Sequence, residues 1–130
     1  MFDLINGNSA FKLIVSAIVF VLIDSFYLNY MKDYFSNQVK IIQGTSIKMD
    51  ITSTILCYIF LVVGIHYFII KPNRSVADAF LLGIIIYGVF ETTNKALFSK
   101  WSWQTVFLDT LWGGILFALT TFFIKLFWSK

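Results

Sequence analysis

The sequence predicts an all-α integral membrane protein: four transmembrane helices in an antiparallel bundle, with both termini on the same side. Three observations carry this expectation. Hydrophobic residues make up 58% of the 130, against roughly 45–50% in soluble domains. Charged residues are only 13%, about half the usual share and too few to cover a soluble surface. The apolar residues also fall into runs that match the roughly 20-residue helix needed to cross a hydrocarbon core of about 30 Å.

The first span covers about 11–31, and only Ser16 interrupts its apolar stretch over 13–23. The second, 52–70, carries no formal charge, and Pro72 lies just past it, where a helix must stop. The third, 76–97, opens on a capping-box pattern, Ser75-Val-Ala-Asp78, whose side chains can satisfy the first free backbone amides. The fourth, 103–128, has Ser102 as its candidate N-cap, and Gly113-Gly114 lets a neighbouring helix approach closely. The connections 71–75 and 98–102 are short, which makes sequential spans antiparallel neighbours. The first connection is longer. Within it Phe35, Val39 and Ile42 stand at i, i+4 and i+7, so 33–42 is expected to lie on the membrane as a short amphipathic helix ended by Gly44. No composition shift divides the chain, and 1–130 reads as a single membrane domain.

Net charge is +3, and its distribution matters more than its sum. Every Lys and Arg lies in a loop, a tail or the outer part of a span, as expected of anchors to anionic headgroups. No segment is left to build the exposed basic surface of a nucleic-acid binder. We call face A the side on which the first span begins and the fourth ends, and face B the other. Lys12, Lys71, Arg74, Lys125 and Lys130 belong to face A; Lys32, Lys40, Lys48, Lys95 and Lys100 belong to face B. The tie leaves the inside–outside topology undetermined. Aromatics make up 19%, and Trp101, Trp103 and Trp128 read as interfacial belt anchors.

Three acids, Asp24, Glu91 and Asp109, stand inside spans. At 1.5 Å per residue they come to about 20, 22 and 21 Å from face A, so three helices bring carboxylates to one depth. Helical spacing adds companions: Gly83, Tyr87, Glu91 and Asn94 share one stripe, Asp109, Trp112 and Gly113 another, and Tyr27 follows Asp24 by one turn. The expected site is a polar pocket of Asp24, Glu91, Asn94 and Asp109, rimmed by Tyr27, Tyr87, Thr93 and Trp112 and open towards face B. Lys95 is the one cation placed to reach back towards it. Three ionised carboxylates in a low dielectric are costly. The pocket is therefore expected to hold protonated acids, to be wet, or to bind a divalent cation on Asp24, Glu91 and Asp109, whose hard oxygens suit Mg²⁺, Ca²⁺ or Mn²⁺. The competing reading is a hydrogen-bond network that only keeps helices in register.

The lone His66 offers no metal-binding spacing and reads as a packing or interfacial histidine, and Cys57, the single cysteine, as a small packing residue. Nucleophile elbows, phosphate loops and potassium-filter sequences are absent.

The stretch Phe90-Glu91-Thr92-Thr93-Asn94, then Trp101, then Asp109-Thr-Leu-Trp112-Gly113, resembles the signature of the membrane family catalogued as domain of unknown function 2177. That signature is Tyr-Asp-x-Thr-Asn, a Trp, then Asp-x-x-Trp-Gly. Asp24 with Tyr27, and the stretch from Gly64 to Pro72, are similar as well. The chain departs from it at Phe90 and Glu91, where a longer carboxylate alters any tight metal geometry. The resemblance implies a compact four-helix membrane protein and supports the choice of site residues; it implies no activity.

Three functions follow as expectations. The first is passage or exchange of protons or small cations along the buried acids, in a homo-oligomer if a pore is needed. The second is a membrane enzyme acting on a lipid, with one carboxylate as general acid or base and the others holding a divalent metal. The third is a structural or assembly role. The partners expected are membrane lipids, and nucleic acid is not among them.

Overall fold

A computed structural model describes residues 7–128. It is all helical: α1 (Gly7–Tyr30), α2 (Lys32–Gln43), α3 (Ile51–Ile65, running on through a π-turn over His66–Ile70), α4 (Val76–Leu97) and α5 (Trp103–Trp128). Four of these, with α3 counted through Ile70, are long and apolar enough to cross a membrane. The protein is thus a multi-pass integral membrane protein, and α2 is too short to span.

Local chemistry sets the helix ends. Asp50 caps α3 by accepting the Ser53 amide at 3.3 Å, and Ser75 caps α4 by accepting the Asp78 amide at 3.0 Å. Ser102 does the same for α5, its hydroxyl accepting the Thr105 amide at 3.1 Å. Gly44 closes α2 in the left-handed conformation (φ 78°), its amide bonded to the Lys40 carbonyl at 2.8 Å. Before Pro72 the helix widens by one residue, with the Lys71 amide reaching the His66 carbonyl at 2.8 Å. Asn73 (φ 58°) then turns the chain into α4.

α5 is the hub. It packs most extensively on α4 and next on α1, while α3 lies against α1. The α4–α5 contact is closest where Gly83 faces Gly113 and Gly114. The core forms a layer of fully buried Phe20, Ile65, Leu116 and Phe117, with Phe20 edge-on to Phe117 at 5.5 Å. Outside it, apolar side chains such as Ile18, Phe60, Leu81 and Phe107 are exposed, as a lipid-facing surface requires. Cys57 belongs to this outer surface; it is exposed, not packed as expected.

α2 is docked by a polar residue as well as by its apolar stripe. Gln38 is buried; its amide oxygen accepts from the Ser102 amide (3.1 Å) and the Thr105 hydroxyl (2.8 Å), and its nitrogen donates to the Lys100 carbonyl (3.2 Å). One side chain thereby ties α2 to the loop before α5. Gln38→Leu leaves the Ser102 amide and the Lys100 carbonyl without this partner, at a cost of about 1–3 kcal/mol, while the Thr105 hydroxyl keeps Tyr34 of α2 at 2.9 Å. We expect faster tryptic cleavage after Lys40 and Lys48 in detergent; an unchanged rate would assign the docking to Tyr34 and the apolar stripe.

Candidate functional site

Asp24 stands near the face-B end of α1, buried, and accepts two hydrogen bonds: from the Tyr58 hydroxyl of α3 at 2.6 Å and from the Trp112 indole of α5 at 2.8 Å. It therefore joins three helices. The Trp112 ring stacks on Tyr27 with centroids 4.3 Å apart and planes 3° from parallel. The Tyr27 hydroxyl in turn donates to Asp109 at 3.4 Å.

Asp109 lines the same cleft as Glu91 of α4, so two acids of neighbouring helices share one space. Both are buried, Glu91 at 1% exposure. The indole of Trp101 donates to the Glu91 carboxyl at 2.7 Å. Two ionised carboxylates side by side away from water repel each other, which favours keeping a proton on such a pair. The proximity comes from packing: Tyr87 lies flat against Gly113, where any Cβ would strike its ring. With that clearance, Glu91 of α4 and Asp109 of α5 line one cleft.

These groups line a cleft of about 260 Å³, walled by Asp24, Tyr27, Glu91, Asp109 and Trp101 together with Tyr87, Phe35, Leu28 and Phe90. Its Tyr87 meets Phe117 edge-on at 6.5 Å, and Phe117 belongs to the apolar core with Phe20, Ile65 and Leu116. Laterally, Leu28 and Phe90 are exposed on the bundle surface (44% and 57%), so that wall faces lipid. α2 contributes Phe35 from the face-B side.

Of the expected pocket residues, Asp24, Tyr27, Tyr87, Glu91 and Asp109 come together here, and Trp112 backs the cleft through Asp24 and Tyr27. Asn94 does not join them: half-buried, it is outside the lining, about 4.5 Å further along α4 than Glu91 towards face B. Thr93 is exposed and bonds its hydroxyl back to the Val89 carbonyl at 2.6 Å. Lys95 does not reach the acids; it donates to the Ser99 carbonyl and lies 5.7 Å over the Trp103 ring. Among the described residues no group of three His, Cys, Asp or Glu is placed to hold a metal ion, so Asp24, Glu91 and Asp109 do not assemble as the expected ligand set. Asp24 is instead held by its aromatic donors.

Two functional residues escaped the sequence reading. Trp101 is no belt anchor; at 9% exposure it folds back from the α4–α5 loop onto Glu91. Tyr58 sits in the charge-free span. A depth count would have found it, since seven residues from Ile51 and six from Tyr30 put Tyr58 and Asp24 about 10 and 9 Å from face B. His66 is fully buried and bonds through Nε2 to the Ser9 hydroxyl at 3.0 Å, a packing histidine beyond the apolar layer.

No curated protein and no solved structure matches the chain. A family model described as a predicted membrane protein matches residues 10–125 and thus takes in every helix that lines the cleft. The chain belongs to that family, domain of unknown function 2177.

Proposed function

We propose that the chain is a membrane-embedded acid–base site acting on the polar end of an amphiphilic molecule, rather than a path for protons or cations. The observation that carries this reading is that Glu91 and Asp109 line one cleft whose Leu28 and Phe90 are exposed on the bundle surface. A pair that shares one proton offers a general acid and a general base side by side, a device that contributes typically 10²–10⁴-fold to proton-transfer steps. At about 260 Å³ the cleft is smaller than the roughly 300–1,000 Å³ of pockets that take whole drug-sized ligands. A headgroup fragment fits it, with the apolar remainder left in the bilayer past Leu28 and Phe90. Permeation is disfavoured because the buried core of the bundle, with Phe20, Ile65, Leu116 and Phe117 fully buried, is apolar.

The test is lipid mass spectrometry on protein purified from its own membranes, wild type beside a Glu91→Gln/Asp109→Asn double variant. The expected result is a hydroxyl- or amine-bearing amphiphile retained by the wild type and lost from the double variant. Proton or cation flux into wild-type liposomes that the same variant abolishes would overturn the proposal in favour of permeation. Neither retention nor flux would leave the network a purely structural one.

A further inference from the structure

A second cleft, of about 230 Å³, lies at the opposite end of the bundle from the acids. Its lining includes four cationic side chains from three parts of the chain: Lys12 at the start of α1, Lys71 and Arg74 in the loop before α4, and Lys125 near the end of α5. No carboxylate is among the described residues that line it. The fold creates this cluster. Phe11 and Trp128 meet edge-on at 5.9 Å, which brings the start of α1 to the end of α5. The π-turn and the left-handed Asn73 then fold the 71–75 loop over the same end.

Neutral groups orient two of these cations and leave their charge intact. Lys125 donates to the Asn73 side-chain oxygen at 2.8 Å, and Lys12 lies 5.5 Å over the Trp128 ring. Arg74 shares Asp78 at 3.0 Å through one nitrogen of its five-donor fork. A separate observation also points to a ligand. Thr121 lines the cleft at 1% exposure, one turn before Lys125, and its hydroxyl has no hydrogen-bond partner. A buried hydroxyl left unpaired is costly, and an anionic oxygen in the cleft would satisfy it.

We propose that this cleft binds a phosphate group, as the headgroup of an anionic lipid or as a free anion. Several convergent donors around one small space match the oxygens of a phosphate, and basic pockets between membrane helices are where lipid headgroups bind. Ile69, Ile70 and Ile124 form its apolar floor and are buried in the bundle.

The experiment uses the full chain in detergent with mixed phosphatidylcholine and phosphatidylglycerol, reading the phosphatidylglycerol retained by mass spectrometry with and without inorganic phosphate as competitor. The variants are Lys12→Gln/Lys125→Gln, Thr121→Val, and Lys40→Gln/Lys48→Gln as the face-B control. We expect phosphatidylglycerol to be enriched on the wild type and on the control. Loss of two lysines lowers that enrichment about tenfold or more, taking about 1 kcal/mol for each. Thr121→Val, which keeps the side-chain shape, lowers it severalfold while helicity and thermal stability stay at the wild-type level. Enrichment insensitive to inorganic phosphate assigns the site to a lipid. If phosphate binds by calorimetry and displaces the lipid, the free anion is the ligand. The proposal is overturned if neither anion binds above phosphatidylcholine, or if the face-A and face-B lysine pairs prove equivalent.

Discussion

Gly83→Leu will separate α4 from α5 without unwinding either helix. A Cβ at Gly83 would overlap the Gly113 carbonyl oxygen and come within 2.7 Å of its carbon and 3.0 Å of Gly114 Cα. These are backbone atoms, so no rotamer change makes room, and the axes must move apart. Overpacking of ordinary cores costs about 1–3 kcal/mol; overlap with backbone and a larger side chain place Gly83→Leu above that range. Lipid offers no water to exposed amides, so each span keeps its own hydrogen bonds after separating. Circular dichroism is therefore expected to stay at the wild-type level while tertiary structure is lost. The probe is a disulfide between Gly88→Cys and Thr110→Cys in a Cys57→Ala background. A Cβ at Gly88 lies 3.6 Å from the Thr110 methyl, within cross-linking reach. Cross-linking should be efficient with Gly83 in place and absent with leucine there. Gly64→Ala is the contrasting case: nothing lies within 4 Å of its Cβ, and helix propensity favours alanine by about 1 kcal/mol. Equal cross-linking with leucine at position 83 would mean that the pair is held elsewhere.

The spans were legible because length and hydropathy alone decide whether a helix crosses a bilayer, and Ser75, Ser102 and Gly44 mark their ends by local chemistry that needs no tertiary context. The convergence of Glu91, Asp109 and Asp24 was legible for a similar reason: a rise of 1.5 Å per residue fixes depth whatever the packing. What depth cannot give is loop path. Trp101 has the position of a belt residue, and only the return of the 98–102 loop onto α4 makes it a donor to Glu91. The face-A cleft was hidden by the arithmetic of the charge count. Five cations on each side look equivalent until the fold gathers four of one set around one space and leaves the other set dispersed over α2, the end of α4 and the loops.

Glu91 separates the structural from the chemical content of the acid pair, because its amide and its hydrocarbon analogue should behave in opposite ways. In Glu91→Gln the side-chain oxygen still accepts from the Trp101 indole, and the new NH₂ offers a donor to the cleft that Asp109 lines. Every partner is kept, so stability should stay within about 1 kcal/mol of wild type. In Glu91→Leu the indole of Trp101 is buried with no acceptor, and Asp109 keeps the long 3.4 Å bond from Tyr27. A buried donor left without an acceptor costs about 1–3 kcal/mol, and the cavity left unfilled by the shorter side chain adds to it. Unfolding in mixed detergent micelles, followed by tryptophan fluorescence, measures both. Equal destabilisation by the two substitutions would show that the network depends on a proton at Glu91 and not merely on hydrogen bonds there. If Gln preserves the fold and yet abolishes retention of the amphiphile, the proton has no structural role, and its only remaining use is chemistry on whatever enters the cleft.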